Sequence, residues 1–129
     1  EALAGPRTRL AGRVTGTELR ELYRRAICFL QPGIEDFGIA AVEALACGTP
    51  VVALAAGGVL DIVEDGRHGL LFGEATAEGI GAAIDKLRSM EFNSVNLRGR
   101  AEGFSADRFA HRLTELLTSY WPGAEELLA

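Results

Sequence analysis

Gln31-Pro32-Gly33-Ile34-Glu35-Asp36-Phe37-Gly38-Ile39-Ala40-Ala41-Val42-Glu43-Ala44-Leu45-Ala46-Cys47-Gly48-Thr49-Pro50 is the stretch whose reading decides the fold. Just before it, Ile27 to Leu30 is a short apolar run of strand type, broken by Pro32-Gly33. Just after it, Val51 to Leu54 is another. Between them the residues from Phe37 to Ala46 predict a helix, about 15 Å long at the usual rise. Strand, loop, helix and strand make a βαβ unit, which implies a parallel sheet with a right-handed crossover.

Two carboxylates in this stretch stand out. Glu35 falls in the loop at the carboxyl end of a strand, just ahead of a helix N-terminus. Unpaired N–H groups and the positive end of the dipole suit such a place to an anion. Gly38, a poor helix former in the first turn, allows a ligand close to the backbone. Glu43 falls on or beside the stripe marked by Ile39, Val42 and Ala46, which is expected to face inward. A carboxylate there is costly without a partner. Alone, Glu43 is explained by snorkelling to the surface or capping a turn. With Glu35 eight residues earlier, ligand binding becomes the better explanation.

The stretch resembles glycosyltransferase family 4. The resemblance rests on Glu-x7-Glu with Phe-Gly after the first Glu, on Glu-Ala-Leu-Ala-Cys-Gly-Thr-Pro-Val-Val, and on the later Gly-Gly. It runs from about Arg9 to Tyr120. These are retaining enzymes of the GT-B fold, with two Rossmann-like domains. Pro-Gly-x-Glu-Asp-Phe-Gly-Ile with Ala-Gly-Gly-Val-Leu-Asp further on is most similar to bacterial mannosyltransferases of polysaccharide and O-antigen assembly. The fold expected is α/β: a truncated, Rossmann-like, doubly wound parallel sheet of about four strands flanked by helices. Residues 1–129 would form part of the C-terminal, nucleotide-sugar-binding domain, with the first strands of that domain and the acceptor domain absent.

The composition fits this. The 129 residues, 48% hydrophobic and 24% charged, describe one globular domain with a real core. A formal net charge of −5 argues against a nucleic-acid partner. No apolar run reaches membrane-spanning length, since Glu43, Gly48 and Pro50 cut the most apolar region. No signal peptide is visible, and the chain lacks an initiating Met, so an excised piece is expected. The expected location is cytoplasmic, with the full-length protein peripheral at the inner face of the membrane as a further option. Cys28 and Cys47 lack metal or redox spacing and are expected as buried thiols. His68 and His111 are assigned to neither metal nor catalysis.

Taken in order, Glu1 to Pro6 reads as a helix end or frayed terminus, and Thr8 to Gly12 as a short strand. Thr17 is expected to cap a helix that buries Leu19, Leu22, Tyr23 and Ala26. Gly57-Gly58, after a strand and before a short helix, could cradle a phosphate with backbone N–H groups, or simply make a tight turn. Leu70 to Phe72 is a strand, and Thr76 caps a helix with Ile80, Ala83, Ile84 and Leu87 on one face. Asn93 to Gly103 is a helix or irregular connection. Ser105 caps a last helix with Phe109, Leu113, Leu116 and Tyr120 inward, stopped by Trp121-Pro122-Gly123, and the tail to Ala129 is partly frayed.

The resemblance also implies roles. Glu35 would accept hydrogen bonds from donor-sugar hydroxyls. Backbone N–H groups around Phe37, Gly38 and Ile39, with Gly33 and Asp36 beside them, would meet the sugar and diphosphate. Glu43 would bind both ribose hydroxyls, Val14 and less surely Arg13 would border the base, and Gly57 and Gly58 would line the donor site. No metal or further cofactor is implied. The partners would be a nucleotide sugar, GDP-mannose first with UDP-hexoses as the alternative, and a glycan or lipid-linked acceptor. The family's basic pair that neutralises the diphosphate lies upstream and is absent, so the fragment alone is expected to be inactive. A non-catalytic nucleotide- or phosphate-binding module is the competing function. By resemblance, Thr8 to Gly12 and Ile27 to Leu30 are the third and fourth strands of the intact domain. The second would be left with a bare edge. Either Thr8 to Gly12 pairs onto Ile27 to Leu30, or another copy covers the edge in a dimer.

Overall fold

The structure, a computed structural model, describes residues 5–121 and 123. Three parallel strands form its sheet: β1 (Phe29–Gln31), β2 (Val51–Leu54) and β3 (Gly69–Phe72), in the order β1-β2-β3. Phe29 is level with Val51, and Val51 with Gly69. The helices are α1 (Gly16–Arg25), α2 (Ile39–Ala46), α3 (Ala77–Arg88), α4 (Ser94–Glu102) and α5 (Ala106–Tyr120), with a 3-10 turn at Gly57–Asp61.

β2 is central, and both of its faces are covered, which is why Val-Val-Ala-Leu reads as an unbroken apolar run. Val51 and Ala53 point into a core shared with Tyr23, Ala41, Ala44, Leu45, Ile62 and Leu97. Val52 points the other way, into a cluster with Leu70, Phe72 and Leu87, against which Ile80, Ala83 and Ile84 of α3 pack. Layers on both faces of a parallel sheet are the α/β architecture expected, and a parallel βαβ unit joins β1 to β2 through α2.

Several expectations are corrected. The sheet has three strands among the described residues, not four. Thr8 to Gly12 forms no strand and does not pair onto β1, and Leu10 is 65% exposed. Leu10 is the one large apolar side chain of that segment, too little to hold it on a sheet. α1 starts earlier than expected, because Thr15 rather than Thr17 is the cap. Its hydroxyl accepts from the Glu18 N–H at 3.3 Å, and the Glu18 carboxylate accepts from the Thr15 N–H at 2.8 Å. Those bonds hold the Glu18 carboxyl below its usual range. Of the face expected to be buried, only Tyr23 is. In α5, Phe109, Leu113, Leu116 and Tyr120 are exposed, not inward. The capping expectations at Thr76 and Ser105 hold, and Asn93 caps a true helix. The expected ends at 1–4, Pro122 and 124–129 lie outside the described residues.

Cys28 and Cys47 are free, half-buried thiols, and burial pushes the Cys28 thiol up. His68 lies in the turn ahead of β3. It is buried, and its Nδ1 accepts the Glu64 backbone N–H at 3.2 Å. Burial holds its pKa below the ordinary 6.5, with Arg100 and Arg67 adding to the effect. A depressed folded-state pKa means that the unfolded chain takes up the proton first, so stability is full above pH 6.5 and is lost as pH falls below it. The melting temperature should therefore drop between pH 7 and pH 5, and less so in His68→Gln; equal drops would show that other groups set this dependence.

Candidate donor site

The candidate site is built on the loop from β1 to α2 and on the turn that follows β2. Both lie at the carboxyl ends of parallel strands, where open α/β sheets place their ligands. α2 begins at Ile39, not at Phe37, because Gly38 occupies the left-handed region with φ +90°. A residue with a Cβ is strained there by its backbone conformation, although a Cβ would make only ordinary contacts with the Gln31 amide and Ile62. No side chain caps α2. Its first N–H groups are thus available to a ligand in the way a helix start that carries an Asp or Ser cap is not.

An open groove of about 560 Å³ runs along this loop, lined by Gly33, Glu35, Asp36, Phe37, Gly38 and Ile39. At its floor Gln31 is buried, and its Nε2 lacks a hydrogen-bond partner. A second groove, about 750 Å³, lies between α2 and the α4–α5 corner and is walled by Phe37, Ile39, Val42, Glu43 and Phe104. Phe37 and Ile39 line both, so Glu35 and Glu43 stand in neighbouring grooves on either side of one corner. Phe37 meets Phe104 edge to face, with centroids 6.0 Å apart.

Of the stripe that carries Glu43, Val42 alone packs against the core. Ala41, Ala44 and Leu45 are the buried residues of α2, whereas Ile39 is 66% exposed and Glu43 is exposed. Glu43 does share a face with Ile39, Val42 and Ala46, but that face lines the second groove. The carboxylate therefore needs no buried counter-charge. It has a partner all the same: the Tyr23 hydroxyl donates to its Oε2 at 3.2 Å.

Gly57 and Gly58 pack the turn after β2 against the loop from β1 to α2. The Gly58 N–H donates to the Glu35 carbonyl at 2.8 Å. A Cβ on Gly58 would stand 2.7 Å from the Phe37 carbonyl oxygen and closer still to that of Asp36. One on Gly57 would stand 2.6 Å from the Glu35 oxygen. The glycines let the two loops pack backbone against backbone, which fixes Glu35 and Asp36. Arg100 braces the same turn from α4, with Nε donating to the Ile62 carbonyl at 2.8 Å and Nη2 to that of Asp61. Val14 is half-buried in another cleft, with Arg9, Arg13 and Leu22, apart from the grooves of Glu35 and Glu43. Sequence reasoning missed the parts of Tyr23, Gln31 and Arg100. The one available signal was Gln31, a polar residue ending an apolar run.

Residues 1–104 match the family described as glycosyl transferases group 1. The chain belongs to that family. Among its relatives, a D-inositol 3-phosphate glycosyltransferase of Geodermatophilus obscurus is 40% identical over 113 residues, which cover 86% of this chain and 24% of that protein. A mannosylfructose-phosphate synthase of Agrobacterium fabrum is 35% identical over 121 residues, 92% of this chain and 24% of that protein. Two solved structures are similar. A sucrose-phosphate synthase from Thermosynechococcus elongatus superposes with a TM-score of 0.72 at 28% identity, over 86% of this chain and 29% of that one. Anabaena HepE in complex with UDP-glucose superposes with a TM-score of 0.51 at 28% identity, over 79% and 30%. This chain thus spans about a quarter of the length of the curated relatives it matches. No helix among the described residues is long and apolar enough to cross a membrane.

Proposed function

We propose that this chain is the donor-binding part of a retaining glycosyltransferase that moves a hexose from a nucleoside diphosphate to a glycan or lipid-linked acceptor. The observation that carries this is the uncapped start of α2 with a carboxylate groove on each side. The N–H groups of that start suit the diphosphate, which gathers negative charge as the bond to the sugar breaks. Glu35 takes the sugar hydroxyls on one side, and Glu43 takes the ribose diol on the other. The new bond forms from the anomeric carbon to an acceptor hydroxyl, whose proton passes to the departing diphosphate, with the anomeric configuration kept and no metal required. Gln31, with its unpartnered amide beneath the groove, leaves a donor in reserve at the same place.

The Pro-Gly-x-Glu-Asp-Phe-Gly-Ile variant favours GDP-mannose as the donor. UDP-glucose is the second reading, because a similar structure holds it. The proposed location is cytoplasmic, and because β1 is an edge strand left unpaired among the described residues, a second copy of the chain is proposed to cover it. The test is the complete protein incubated with a panel of nucleotide sugars, followed for release of nucleoside diphosphate. Turnover with GDP-mannose supports the first reading, and turnover with UDP-glucose the second. Nucleotide binding with no turnover would make this a binding module instead. In the same protein, Glu43→Ala should weaken nucleotide binding about tenfold by removing a charged acceptor. Unchanged affinity for both GDP and UDP would overturn the ribose role.

A further inference from the structure

We infer that Tyr23 is a positioning residue for Glu43, holding one carboxylate oxygen so that the other is presented to the hydroxyls of a nucleotide ribose. This rests on the ribose role proposed for Glu43. Tyr23 lies in the last turn of α1, yet it is tied to three other elements. Its ring meets Phe29 of β1 edge to face, with centroids 5.8 Å apart and planes at 75°. Its carbonyl accepts the buried Thr49 hydroxyl at 2.6 Å, just ahead of β2. Its own hydroxyl donates to Glu43 Oε2 on α2 at 3.2 Å. Ring and backbone are thus clamped by core contacts, and the phenol is the fixed partner of the pair.

Glu43 is the mobile one. It is exposed, on the rim of an open groove, with three side-chain torsions that would otherwise be free. A carboxylate that must accept from two vicinal hydroxyls gains affinity when its orientation is set before the ligand arrives. A phenol suits the task, because it offers a single O–H and occupies one oxygen only. Burial, then the charge of Glu43 and the hydrogen bond to it, push the Tyr23 hydroxyl up to about 12. It therefore remains a donor at any pH where the protein works.

The bland alternative is that Glu43 merely satisfies a buried hydroxyl. Binding of UDP and GDP, each against its 2′,3′-dideoxy counterpart, separates the two in the complete protein. Tyr23→Phe keeps the ring and its contact with Phe29. It should weaken the ribonucleotide about fivefold, leave the dideoxy form unchanged, and add nothing in a Glu43→Ala background. Equal weakening of both forms, an effect that persists without Glu43, or no effect at all would overturn the positioning role. Should Tyr23→Phe fail to fold, Tyr23→Met serves, since it fills the ring's space without a hydroxyl and leaves Glu43 unaltered. The same selective loss is expected, and an intact ribose preference would overturn the inference. Failure of the underlying reading looks different: Glu43→Ala would then keep the ribose preference, or neither nucleotide would bind the unaltered protein.

Discussion

Gly58→Ala is expected to lower turnover about a hundredfold and the melting temperature along with it. The added methyl would enter the space of the Asp36 and Phe37 carbonyls, both of them backbone, so no flexible side chain can swing away. The turn after β2 must instead retreat from the β1–α2 loop, loosening the Gly58 N–H bond to the Glu35 carbonyl. Overpacking of this kind costs about 1–3 kcal/mol. Displacement of the loop by about 1 Å is enough to account for the loss of rate. Gly81→Ala is the control: it lies in α3 with open space around it, and it should be neutral or slightly stabilising. Thermal unfolding and kcat, measured on both variants, check the pair. A Gly58→Ala protein with unaltered kcat would show that the packing of the two loops does not set the position of Glu35.

The βαβ unit was legible because its signals are local. β2 stands where the unbroken apolar run placed it, and Thr76 and Ser105 cap where a hydroxyl precedes helical spacing. The orientation of α2 was not legible. Nearly every residue of Ile39–Ala46 is apolar, so two faces are candidates for the core. The bulkier stripe of Ile39 and Val42 proved to line a groove, while Ala41, Ala44 and Leu45 pack inward. α5 makes the converse point. Its periodicity shows that one face needs cover, but the residues that would cover it are not set by the pattern within the helix, and Phe109 stays 67% exposed. In the candidate site, Glu35 and Glu43 are singled out by their spacing and by the family resemblance. The contacts that hold them, Gly58 to Glu35 and Tyr23 to Glu43, join segments 23 and 20 residues apart. Such contacts exist only once the sheet has brought the segments together.

Glu35→Ala is expected to lower kcat by at least about a hundredfold, the scale on which a well-placed polar group acts on a transition state, with nucleotide affinity within about twofold of the unaltered protein. The substitution removes only the side chain. The Glu35 carbonyl still accepts the Gly58 N–H, so the loop and the start of α2 keep their geometry. The groove that Glu35 lines is separate from that of Glu43, so a ribose held there loses no contact. On the role proposed for Glu35, what is lost is an acceptor for sugar hydroxyls that would orient the hexose while its bond to the diphosphate breaks. An interaction made chiefly in the transition state lowers kcat and kcat/KM together and leaves binding nearly intact. Glu35→Gln, which keeps an oxygen acceptor but not the charge, should fall between the two. Steady-state kinetics with the best donor of the panel, beside calorimetric titration with its nucleoside diphosphate, read both quantities. A parallel loss of nucleotide affinity would move Glu35 from the sugar to the nucleotide, and undiminished turnover would remove it from the chemistry.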